Sequence, residues 1–103
     1  MSLETETSQY ELPTDLCLQH AVKMSIVDDR PIVMDYWTGS CDKSVIIGVR
    51  GSGEREGEKL LVKSADEYTS PIVKIFKVET EFIVMTENSI YIVKNDIDTK
   101  LLK

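Results

Sequence analysis

The chain has 103 residues, with 18 acidic and 12 basic side chains, a net charge of −6 and 42% hydrophobic residues. Length and apolar content indicate one domain that hides about two thirds of its unfolded surface, and they exclude a disordered, collagenous or two-domain protein. Glu4, Glu6, Glu11 and Asp15 lie in a stretch without Lys or Arg, so the acidity gathers at the start of the chain and the rest is close to neutral.

Residues 1–12 (MSLETETSQYEL) read as a mobile acidic tail, because acidic and hydroxyl side chains dominate and few apolar ones are available for packing. They contain no basic start or apolar run of a secretory leader, and nowhere do about 20 apolar residues follow one another, so no membrane partner is inferred and a cytoplasmic location is expected. Residues 13–96 are expected to form a single β-rich domain, and 97–103 a C-terminal tail.

In the stretch 14–27 (TDLCLQHAVKMSIV) two periodicities compete. Thr14 or Asp15 can cap a helix that carries Leu18, Ala21, Val22 and Ile26 on one face, whereas residues 22–26 also alternate as a strand does. Length and capping favour a helix through about Met24. Asp28, Asp29, Arg30 and Pro31 then mark a turn.

From Pro31 onward, short β-branched and aromatic runs alternate with turn residues. The expected strands are 32–38, 44–50, 58–63, 72–78, 81–86 and 89–94. Most connections are short enough to make neighbours antiparallel. Several runs are apolar on both faces: Phe82 and Val84 oppose Ile83 and Met85, while Ile90 and Ile92 oppose Tyr91 and Val93. A sheet with one solvated face alternates more cleanly than this. The expected fold is therefore mainly β: an antiparallel meander of five to six strands forming a small barrel or strongly curled sheet, with one N-terminal helix packed on it.

No motif names a chemistry. The glycine-rich stretch 51–57 (GSGEREG) lacks the Lys and Ser/Thr of a phosphate loop and carries Glu54 and Glu56, which repel anions; it reads as a hairpin tip that exposes Arg55. The segment 30–41 (RPIVMDYWTGSC) resembles the strand that leads into the active site of thioredoxin-like proteins, but no second cysteine follows Cys41 and the next residues read as strand rather than helix. The phrases IVMDYW and YTSPIVKIFKV resemble short proteins of large DNA viruses, a resemblance that implies no activity. Cys17 and Cys41 are too far apart for a metal or redox pair and read as reduced thiols. One His and two separated Cys supply no recognisable zinc set, and the Asp pairs lack the calcium-loop pattern, so neither metal nor cofactor is expected.

The leading expectation is a non-enzymatic protein-interaction or assembly domain, partnered by another protein or by itself as a homodimer. The contact residues would be Phe82, Val84, Tyr91 and Val93 on an open sheet face, with Tyr68 and Arg55 on loops. Two alternatives stand beside it. A small nucleic-acid-binding β barrel would use Arg50, Lys59, Lys63, Lys74 and Lys77, although the overall acidity argues against phosphate partners. A small enzyme or ligand-binding protein would use Cys41 and His20 with Asp35 or Asp42, for which no small-molecule substrate is inferred.

Overall fold

Thr14 settles the first element. Its backbone is extended and its hydroxyl accepts from the Cys17 amide, so the helix α1 (Asp15–Asp28) begins where the capping residue stands. The helix runs one turn past Met24 and closes at Asp29, which adopts the left-handed conformation and returns its amide to the Ser25 carbonyl. The computed structural model describes residues 11–102. Residues 1–10 of the expected tail lie outside the described residues, but Glu11 is fastened: its carbonyl accepts from Trp37 Nε1 at 2.9 Å, and its carboxylate pairs with Lys94.

Seven strands follow: β1 (Ile32–Val33), β2 (Ile46–Arg50), β3 (Lys59–Val62), β4 (Ile72–Val78), β5 (Glu81–Thr86), β6 (Ile90–Lys94) and β7 (Thr99–Leu102), with a short helix α2 (Trp37–Cys41) between β1 and β2. They do not form a barrel or a single curled meander. They make two open sheets, one of four strands ordered β1-β6-β5-β4 and one of three ordered β3-β2-β7. The run expected as a strand over 32–38 breaks after Val33. Gly39 and Ser40 are weak helix formers, and tertiary contacts hold the helical turn there: Val45 Cγ2 packs 2.7 Å from where a Cβ on Gly39 would stand, and Ser40 Oγ donates to the Trp37 carbonyl and accepts from the Lys94 amide. The last strand, in the segment expected as a tail, lies parallel to β2, and Ile97 just before it is buried. Parallel pairing also joins β1 to β6. Two strands added from remote parts of the chain thus replace the closure that a meander would need.

This layering answers the surplus of apolar faces. Ile83, Met85, Ile90 and Ile92 face α1, where Cys17, Ala21 and Trp37 complete a first core. Val84 and Val93 face the three-stranded sheet, where Val45, Ile47, Leu61, Ile97 and Tyr36 complete a second. The central sheet is covered by a helix on one side and by a sheet on the other, so its strands are apolar twice over. Adjacent aromatic residues divide between the layers: Trp37 enters the first core and Tyr36 the second, where its ring meets Tyr91 edge-on at 5.3 Å.

Gly48 fixes how closely β7 approaches. A Cβ there would stand 2.7 Å from Leu102 Cδ1 and 3.0 Å from Val62 Cγ2, so Leu102 rests on bare backbone. Gly48→Val is expected to cost about 1–3 kcal/mol through this overpacking. Urea midpoints measure the loss, and hydrogen exchange is expected to show β7 amides losing protection before those of β5.

Candidate functional site

The outer face of the three-stranded sheet carries a cleft. Cross-strand register puts Gly48, Leu60 and Lys100 together on this face, next to Val62, Arg50 and Leu102. The chain after β3 turns back at Ser64–Glu67, where the Lys63 and Ser64 amides both donate to the Glu67 carbonyl. Thr69 then joins the outer edge of β3, exchanging hydrogen bonds with the Leu61 backbone, and Tyr68 pairs with Val62. Tyr68 therefore stands on the same face as Val62 and Leu60. The resulting cleft measures about 250 Å³ and is walled by Tyr68, Ser64, Leu60, Val62, Leu102 and Arg50.

Leu60 shows that this face is more than a solvated surface. It points away from both cores yet is only 2% exposed, because Leu102, Val62 and the Tyr68 turn close around it. Tyr68 itself is 56% exposed, an aromatic wall standing beside an apolar floor. At the end of the cleft, Arg50 Nε donates to Glu58 Oε1 at 3.1 Å, and Arg55 Nη1 reaches the same oxygen at 3.7 Å from the hairpin tip. Two guanidinium groups share one carboxylate oxygen here, and Glu54 and Glu56 flank Arg55 in the hairpin tip. Gly53 and Gly57 have positive φ and make the sharp return that brings Arg55 back over Glu58.

The structure separates the residues expected to share a contact surface. Tyr68 and, through Glu58, Arg55 come to the cleft. Val84 and Val93 are fully buried and Phe82 and Tyr91 half-buried, all four facing the three-stranded sheet, so the face expected to be open is covered within the chain. The sequence pattern identified these residues as a second apolar face but had no signal for which part of the chain covers it.

The Cys41 and His20 pair is not assembled. His20 is exposed on α1, whereas the charged groups around the half-buried Cys41 are Glu11, Lys94 and Asp42. Burial, with Glu11 beside it, pushes the Cys41 thiol up, against the partial offset from Lys94. Burial also pushes Cys17 up to about 11, helped by Glu81. Both shifts oppose thiolate formation, the reverse of what a nucleophilic cysteine needs. Ser44 holds the Asp42 carboxylate below the ordinary range, through its hydroxyl first and then its amide, which donates to Asp42 Oδ1 at 3.0 Å.

Among the described residues, no group of three His, Cys, Asp or Glu could hold a metal ion, and no helix is long and apolar enough to cross a membrane. The basic residues form no stripe. Arg50 pairs with Glu58 and Lys63 with Glu67, while Lys74 and Lys77 align with Met85 and Phe82 on opposite faces of β4. Comparison with protein-family models, with curated proteins and with solved structures finds no match to this chain.

Proposed function

We propose that the protein is a non-enzymatic interaction module that captures one anchor side chain of a partner protein in the cleft beside Tyr68. The observation that carries this reading is the combination of an exposed aromatic wall, a desolvated apolar floor at Leu60 and the Arg50 guanidinium, held by Glu58, at the cleft's end. Size favours a side chain over a free small molecule. About 250 Å³ lies below the 300–1,000 Å³ of typical small-molecule sites, but it accommodates one large apolar residue. An anchor of this kind, rimmed by groups that exclude water, is the usual centre of a binding hot spot. The Arg50 and Arg55 rim favours a carboxylate next to the anchor in the partner sequence.

The test is selection of binding peptides from a displayed random library on the full chain, followed by affinity measurement on variants. The expected result is peptides with a large apolar residue beside Asp or Glu, whose affinity falls about tenfold or more with Tyr68→Ala and with Val62→Arg. Methyl resonances of Leu60, Val62 and Leu102 should move on titration. Failure to select any binder, or selected peptides that bind both variants as tightly as the parent, overturns the proposal.

A further inference from the structure

The outward face of α1 mixes apolar with charged residues, is uncovered among the described residues and is complementary to itself. Cys17 and Ala21 face the core, which leaves Asp15, Gln19, Val22 and Ile26 as the opposite stripe, flanked by Leu16 and Lys23. All six are exposed, Ile26 to 76%, and a shallow groove runs along Leu18, Gln19, Val22 and Lys23. Neither Asp15 nor Lys23 has an ion-pair partner among the described residues.

We infer that this face docks a second copy of the chain, with the two α1 helices packed antiparallel about a two-fold axis at Gln19. In an antiparallel pair centred there, residues equally far before and after Gln19 stand at the same level. Asp15 then meets Lys23 of the second copy, Leu16 meets Val22, and Gln19 meets Gln19. The first two matches occur twice by symmetry and the Gln19 match once, on the axis, as an isologous interface requires. The charges are what select the occupant: a stripe whose acidic end lies level with its own basic residue when reversed fits itself better than it fits an apolar surface without charges. This surface is distinct from the Tyr68 cleft and does not depend on it. A 14-residue helix is about 21 Å long, so the pair buries less than a standard interface, and a dissociation constant in the micromolar range or weaker is expected.

Sedimentation equilibrium of the full chain is expected to show a reversible dimer of about twice 11.7 kDa. Val22→Asp should weaken it about a hundredfold by placing two carboxylates in the seam. Lys23→Glu should weaken it about tenfold, and the double variant Asp15→Lys, Lys23→Glu should recover to within about threefold of the parent. Circular dichroism confirms that each variant keeps its helix. In a Cys41→Ser background, Gln19→Cys should give a reducible cross-linked dimer under copper phenanthroline, whereas Glu54→Cys at the hairpin tip should not. A strict monomer up to about 1 mM overturns the inference. So does a dimer indifferent to Val22→Asp and to the charge exchange, or a monomer that cosediments with phosphatidylcholine vesicles through this face.

Discussion

Val84→Asp is expected to unfold the protein. Val84 is fully buried at the middle of β5, pointing into the second core between the two sheets, where Leu61, Ile47 and Val93 surround it. A carboxylate placed there finds no cation or donor set, so burying it costs at least about 4–5 kcal/mol, either as an unsolvated charge or as a protonated acid with unmade hydrogen bonds. A domain of this size is stable by only about 5–15 kcal/mol, so the substitution removes much or all of the margin. Thermal melts followed by circular dichroism and by the fluorescence of Trp37 measure it. The control is Val73→Asp on the neighbouring strand, where the side chain is exposed and the change should stay within about 0.5 kcal/mol. An open interaction face at Val84 predicts the opposite: an unchanged melt and loss of association only. One pair of melts therefore decides whether this face belongs to the core or to a partner.

The contrast between these two outcomes also marks where sequence reading reached its limit. Two-sided apolar strands at Phe82–Met85 and Ile90–Val93 demand two covering layers, and that demand is visible in the alternation itself. Which segments cover them is not: β2 and β3 form a local antiparallel hairpin, but nothing in their spacing says that they lie over this face, and the parallel pairing of β7 with β2 joins remote parts of the chain. The helix over Asp15–Asp28 was legible because its cap, Thr14, is local. The break after Val33 was not, since Tyr36 and Trp37 favour strands by propensity and what holds the helical turn, their division between two cores and the tie from Ser40 to the Lys94 amide, is tertiary. Tyr68 stood out as an exposed aromatic in a polar connection. Its neighbours Leu60 and Leu102 did not, because an apolar residue on the outer face of a sheet reads in sequence as a core residue like any other.

Glu81 is the functional group that sequence reasoning passes over entirely, and it supports the second large expected effect. It is 1% exposed at the start of β5, where the expected strand over 81–86 assigned its side chain no role. Instead, Oε1 accepts from the Thr14 hydroxyl at 2.8 Å and the Thr14 amide at 3.3 Å, and Oε2 accepts from the Thr80 hydroxyl at 2.5 Å. The partners at Thr14 lie 67 positions away, beyond any local pattern. The carboxylate holds the capping residue of α1 and sits near the positive end of the helix dipole. Burial pushes its pKa up, but the hydrogen bonds from Thr80 and Thr14, with Lys94 nearby, outweigh burial and hold it below 4.5. A depressed folded value means that the contribution is complete above the ordinary glutamate range and is lost as pH falls through the folded value. Glu81→Ala is therefore expected to cost about 1–3 kcal/mol at pH 7 by removing three charge-assisted hydrogen bonds to the part-buried donors of Thr14 and Thr80. The gap from the parent should shrink as pH drops below about 4.5, because acid weakens the parent and not the variant. Urea midpoints at pH 7, 4.5 and 3.5 follow it. A gap of constant size across that range means that the charge of Glu81 contributes nothing. Cys17, fully buried beneath the same end of α1, reports the local event. In a Cys41→Ser background, thiol labelling at Cys17 should speed up in Glu81→Ala by more than global unfolding allows, because the variant frees the start of the helix first.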